Sequence, residues 1–200
     1  MPTTLTYFGL GARGFVTRVC MRKADPAGFV DTRLDFPAWG ALKATGFGPL
    51  GQLPVLDVDG AQHCQSIAIS AYAAKLAGLY PATPLAQLEA DEVVATMDEL
   101  WNKIGATTKD KPETRVAYAE EVAPKYLAFL AKRLGDKDFF GGAAAPGWAD
   151  LWVYQYTAFF TSGFFDHVPA DFVARHAPAL AAHAARVKAS DLYAKFGSPE

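Results

Sequence analysis

Pro54 stands at the mouth of an apolar run, and this constrains the chain more than any other feature. Proline has no N–H to donate to a sheet ladder, so it belongs at the start or edge of a strand. The run that follows, Val55-Leu56-Asp57-Val58, is apolar and β-branched, and Asp59-Gly60 is a strong two-residue turn signal. Residues 48–69 therefore predict a hairpin entered through a proline. A cis Leu53–Pro54 bond would turn the backbone N–H and C=O of Leu53 toward a peptide-like ligand. Ser66 is expected to cap the next helix with its hydroxyl, ahead of an apolar run beginning at Ile67. The free N–H groups and positive dipole end of that helix, at Gln65-Ser66, suit a carboxylate.

Upstream, residues 5–8 read as a short strand and the glycine-rich residues 9–14 as a turn. A helix is expected over about 13–24, with Val16, Val19, Cys20 and Lys23 at helical spacing, ended by Asp25-Pro26-Ala27-Gly28. Residues 29–34 form a second strand, and strand, helix and strand over some thirty residues predict a parallel βαβ unit. Trp39 and Lys43 share one face of a short helix or turn, at i and i+4. The helix at Ser66 should end near Gly78. This β-α-β-α-β-β-α order is the thioredoxin-like pattern.

Tyr80-Pro81-Ala82-Thr83-Pro84 reads as a linker, and no strand signal follows it. Thr83 fits an N-cap and Pro84 the first position of a helix reaching about Ile104, which carries Asp91, Asp98, Glu99 and Trp101. A second helix over 112–134 should bend at Pro124. Gly147 and Asp150 form a weakened capping box ahead of the apolar stretch 151–165, which is too short to span a bilayer and reads as a buried core helix. The alanine-rich residues 179–189 are expected to be the last helix. The fold class expected is α/β followed by all-α, with domains over 1–79 and 83–200.

A net charge of −2 over 200 residues argues against a dedicated nucleic-acid surface. No basic region followed by an apolar run stands at the N-terminus, so no signal peptide is expected. Cys20 and Cys64 form no C-x-x-C, so neither a zinc site nor a dithiol motif is expected; both read as small core residues in a reducing, cytoplasmic setting. His63, His167, His176 and His183 lack metal-like spacing and obvious partners and read as structural or surface residues.

Gly51-Gln52-Leu53-Pro54-Val55-Leu56, then Asp59-Gly60, then Gln65-Ser66-x-Ala68-Ile69 resemble the glutathione-binding half of the cytosolic glutathione transferases. With Tyr7-Phe8, Arg13, Arg18, Trp39, Lys43 and Asp98, the resemblance is to the sigma class, which includes glutathione-dependent prostaglandin D synthases and the lens S-crystallins. It covers most of residues 3–104 closely and the rest by helical pattern.

The resemblance implies a thioredoxin-like domain followed by an all-helical one, and attack of the glutathione thiolate on a hydrophobic electrophile. It implies that Tyr7 activates the thiol, supported by Arg13; that Trp39 and Lys43 meet the glycyl carboxylate; that Gln52 and Leu53, before a cis Pro54, pair with the cysteinyl backbone; and that Gln65 and Ser66 hold the γ-glutamyl end. It further implies a homodimer in which Asp98 reaches the γ-glutamyl ammonium of the neighbouring subunit. Glutathione is the co-substrate, and neither metal, nucleic acid nor membrane is expected. Leu10, Trp101, Ile104 and Gly105 would line the electrophile pocket.

The residues alone leave blander readings open: Tyr7 as a half-buried strand tyrosine, Trp39 and Trp101 as packing, Lys43 and Asp98 as parts of solvated faces. The chain departs from the family at Gly11-Ala12 before Arg13, at Gly14-Phe15 after it, at Gly147, and at Glu99, where a second acid would stand beside Asp98. Alternatives to conjugation are a glutathione-dependent isomerase or peroxidase, and a non-catalytic ligandin- or crystallin-like protein.

Overall fold

The computed structural model describes residues 2–197, which divide into two units: residues 2–80 with 193–197, and residues 81–192. In the first unit β1 (Thr3–Phe8) pairs parallel with β2 (Phe29–Leu34) and antiparallel with β3 (Val55–Val58). β4 (Ala61–His63) closes the sheet in the order β2-β1-β3-β4. Period-two alternation puts Leu5 and Tyr7 on one face of β1. There they cluster with Leu56 and Ile69, flanked by Phe8, Leu10, Phe29, Leu53 and Val58. The hairpin turns at Asp59 and Gly60, both at positive φ, and the Leu53–Pro54 peptide is cis, as Pro54 at the strand mouth led us to expect.

α1 (Ala12–Ala24) joins β1 to β2, and every residue from Gly14 to Met21 is buried. It packs on α3 (Ser66–Leu76), whose Ala73 and Ala74 have no exposed surface. α2 (Phe36–Ala44) buries none of its residues and is held at its start by Asp35, which accepts from the Ala38 N–H at 2.7 Å. Cys20 is a core residue, but Cys64, in the connection from β4 to α3, is only half-buried; its place in the core is corrected here.

The second unit is helical. α4 (Pro84–Gly105) begins as its sequence predicts, with Thr83 Oγ1 accepting from the Ala86 N–H at 3.4 Å. Its apolar stripe, Ala90, Val93, Val94, Met97, Leu100 and Ile104, is buried. α5 (Pro112–Ala117) runs through a π segment (Tyr118–Val122) into α6 (Ala123–Leu134). Pro124 lacks an N–H and its ring crowds the carbonyl four residues back, so the ladder widens just before it.

α7 (Trp148–Thr161) is the core helix, buried continuously from Trp148 to Thr157 and contacting both α4 and α9 (Pro178–Ala189). It ends short of the expected residue 165; Phe164, beyond it, is exposed. α9 is not the last helix. α8 (Phe172–His176) precedes it and α10 (Asp191–Phe196) follows. Both are too short to show a helical period. The chain's end also departs from a helical domain running to residue 200. Tyr193 stacks near Phe15 with ring centroids 6.3 Å apart, and Arg22 donates to the Phe196 carbonyl at 3.3 Å, so this segment belongs to the first unit.

Candidate active site

Tyr7 is 6 % exposed and lies one residue before the end of the central strand. Burial pushes its phenol pKa above the ordinary value of 10, while the Arg13 backbone N–H bond to its oxygen and the charges of Arg13 and Arg18 pull the other way. At neutral pH the group is therefore a neutral O–H donor. The loop after β1 turns through Ala12 at φ 44° to start α1, which brings Arg13 back over the strand end. The Arg13 side chain continues outward, and its Nη1 donates to Ser66 Oγ at 3.0 Å.

That bond revises the expected role of Ser66. Gln65, at φ 73°, is the N-cap of α3 and its side chain makes no capping bond; Ser66 is the first helical residue and is 5 % exposed. Its hydroxyl serves a residue 53 positions away instead of its own helix. Gln65 itself is exposed at the helix start.

Gln52 is exposed, Leu53 half-buried and Pro54 buried, at the entry to β3. Trp39, half-buried, and Lys43, exposed, share a face of α2, with the Lys43 ammonium 6.0 Å from the Trp39 ring centre. A side chain on Gly51 would touch Lys43 Cε, so α2 and the approach to Gln52 are neighbours. The first unit thus carries Tyr7, Leu10, Arg13, Trp39, Lys43, Gln52, Leu53, Pro54, Gln65 and Ser66.

Asp98, Trp101, Ile104 and Gly105 lie on α4 in the second unit. Asp98 is half-buried and accepts from Asn102 Nδ2 at 2.9 Å. Trp101 sits among Tyr156, Phe159, Phe160 and Phe165, with centroids 4.4 to 5.8 Å away. Ile104 is in the core at 2 % exposure, and Gly105 is exposed. Glu99 accepts from the Tyr126 hydroxyl at 2.6 Å and pairs with Lys103 at 3.3 Å. These two partners hold its carboxyl below the usual range, the Tyr126 bond foremost.

Two of the histidines have partners that sequence spacing did not reveal. His183 Nε2 meets Asp150 Oδ1 at 2.7 Å in the core, and His176 Nε2 meets Glu120 Oε2 at 3.2 Å. Among the described residues no group of three His, Cys, Asp or Glu side chains is placed to hold a metal ion, and no helix is long and apolar enough to cross a membrane.

Arg18 is part of the family resemblance with no task implied for it, Gly14 stands out in the sequence only as a turn residue and a departure from the family, and Asp31 is not singled out there at all. Arg18 is 6 % exposed and grips Asp31 through Nε at 2.8 Å. Its two terminal nitrogens donate to the carbonyls of Leu10 (2.6 Å) and Phe8 (2.8 Å). The guanidinium carbon lies 5.6 Å from the Tyr7 ring centre. The available signal was a basic residue and an acid on the two consecutive elements of a βαβ unit.

The family model for the glutathione S-transferase C-terminal domain matches residues 97–196. The chain is 35 % identical over 153 residues to the hematopoietic prostaglandin D synthase of Gallus gallus, covering 74 % of each. It is 34 % identical over 154 residues to glutathione S-transferase S1 of Drosophila melanogaster, covering 74 % of this chain and 61 % of that one. The crystal structure of the glutathione S-transferase from Ascaris lumbricoides superposes with a TM-score of 0.80 at 26 % identity, over the full length of both chains. Fold and these similarities agree: the chain belongs to the glutathione S-transferase family.

Proposed function

We propose that this protein is a sigma-class glutathione transferase in which Tyr7 donates a hydrogen bond from its neutral hydroxyl to the glutathione sulfur and so stabilises it as the attacking thiolate. One observation carries the reading. Arg13 touches the Tyr7 oxygen through its backbone N–H and Ser66 through its side chain, linking the thiol-activating and γ-glutamyl positions through a single residue. A free thiol of pKa about 8.5 is only a few per cent ionised at neutral pH, so a donor favouring the anion raises the reactive population directly. Gln52 and Leu53 pair with the cysteinyl backbone, Trp39 and Lys43 with the glycyl carboxylate, and Gln65 and Ser66 with the γ-glutamyl end. Leu10, next to Tyr7, offers apolar surface to the electrophile. Conjugation of apolar electrophiles makes them water-soluble, which is a detoxifying reaction of the cytoplasm.

The active form is a homodimer. Leu85 and Leu88 on α4, at 66 % and 64 % exposure, and Tyr72 and Leu76 on α3, are apolar surface suited to a second copy. From α4, Asp98 reaches the partner subunit's γ-glutamyl ammonium. Similarity to a prostaglandin D synthase favours isomerisation as a second reading. The engagement of Glu99 by Tyr126 and Lys103 weighs against an acidic pair there free to hold a metal.

The test is glutathione conjugation to a generic aryl halide by wild type and Tyr7→Phe, with a pH–rate profile. Tyr7→Phe should lose roughly ten- to a hundredfold in kcat near pH 6.5, as expected for one charge-assisted hydrogen bond. The deficit should shrink as pH rises, because hydroxide then ionises the thiol without help. An unchanged profile in Tyr7→Phe refutes the assignment, and absence of turnover in wild type favours a binding protein.

A further inference from the structure

The structure assigns Arg18, with Asp31 as its counter-charge, as a positioning residue that holds the loop bearing the catalytic phenol and supplies the positive field beside it; this role rests on the thiolate reading above. Three observations combine. The guanidinium is almost fully buried, and its fork spans the carbonyls of Phe8 and Leu10, on either side of the turn out of β1. It lies against the Tyr7 ring, where water cannot screen it well. Its charge is offset by a carboxylate that is itself shared: Asp31 also takes Arg33 Nε at 2.9 Å and Arg22 Nη2 at 3.5 Å.

Asp31 is thus divided among Arg18, Arg22 and Arg33, and of these Arg18 is the one whose guanidinium meets the end of β1, through the Phe8 and Leu10 carbonyls. The groups that face Tyr7 are Arg13 and Arg18 from α1, with Asp31 and Arg33 of β2 behind Arg18; the approach to β3, β3 itself and α3 contribute the apolar Leu53, Leu56, Val58 and Ile69. A positive field favours the phenol as a proton donor and the thiolate as an anion. Arg13 acts at the hydroxyl itself, whereas Arg18 acts through the ring and the loop.

A structural role and a field role separate by sign. Arg18→Met removes the charge; Arg33→Gln leaves Asp31 freer to offset Arg18. Both should raise the apparent pKa of enzyme-bound glutathione, read from thiolate absorbance near 240 nm. The expected rise is roughly half a unit to one unit for Arg18→Met and less for Arg33→Gln. Asp31→Asn removes the offsetting charge and should lower that pKa. Arg18→Met should also lower kcat by releasing the loop, and Arg18→Lys should return most of the pKa shift without restoring kcat, since one ammonium cannot span both carbonyls. The KM for glutathione should stay within about threefold throughout, because none of these residues meets the tripeptide.

Arg33 is partly exposed, so Arg33→Gln reports even if the Arg18 variants fold poorly. Shifts of the same sign in Arg18→Met and Asp31→Asn, or no shift in any variant, overturn the assignment. A wild-type protein that forms no thiolate band refutes the transferase reading and this role with it. A normal band with unmoved variants refutes this role alone.

Discussion

Gly14 and Tyr7 share one volume. A Cβ built on Gly14 would overlap Tyr7 Cδ1, lie 3.0 Å from Tyr7 Cγ and come within 3.2 Å of Arg18 Nη1. The first turn of α1 thus passes over the phenol ring at backbone distance, and only glycine leaves the ring and the guanidinium where they are. Gly14→Ala should push the ring aside. Overpacking of this kind costs roughly 1–3 kcal/mol of stability. The sharper expectation is a kcat loss of tenfold or more with glutathione KM little changed, because the tripeptide's other partners are untouched. Parallel thermal melts and steady-state kinetics check it; full turnover in Gly14→Ala would show that the ring's position is not critical.

Ser66 divides binding from chemistry. Ser66→Ala removes the acceptor of Arg13 Nη1 and a proposed γ-glutamyl contact together. Both interactions are present before the reaction begins, so KM for glutathione should rise about five- to thirtyfold while kcat at saturation falls less than threefold. Calorimetry with S-methylglutathione, which cannot react, should show the same loss in affinity.

Asp150 is a stability residue of the second unit. Its buried carboxylate accepts from the Phe140 N–H and the Gly147 N–H, each at 2.8 Å, and from His183 Nε2. It ties together the residues before α7, the start of α7 and the middle of α9. Asp150→Ala strands the buried His183 nitrogen and two part-buried backbone N–H groups and should cost roughly 3 kcal/mol in urea unfolding. Asp150→Asn retains an acceptor oxygen and should lose less. Equal losses would mean that the charge, not the hydrogen bonding, holds these segments.

Cys20 supplies a pH signature. Burial pushes its thiol pKa up to about 12, against an unfolded value near 8.5. The folded state therefore keeps its proton where the unfolded chain loses it. Stability should be unaffected below about pH 8 and should decline as pH rises from there toward 12. Cys20→Ala should flatten that slope, measured by denaturant midpoints across the range. In the native protein a thiol reagent should modify the half-buried Cys64 and spare Cys20, with both reacting after unfolding.

What the chain determines locally was legible without a structure. Residues 55–58, the Asp59-Gly60 turn, the Thr83 cap and the Pro124 disturbance all follow from interactions within a few positions: alternation, backbone φ, an absent N–H. The choice of Tyr7, Arg13, Gln65 and Ser66 as a set came instead from resemblance to the family, since alone each of them has a plainer structural reading. Tertiary structure decided what those residues do for one another. Ser66 could not be known to serve Arg13, nor His183 to serve Asp150 across 33 positions, nor Gly14 to clear the Tyr7 ring, nor Arg18 to brace Phe8 and Leu10. α8 and α10 escaped for a related reason: helices this short do not persist without packing, so their own sequences carry too little of the signal. Propensity acts over one or two turns of chain, whereas buried charge and steric exclusion act across whatever the fold brings within a few ångströms.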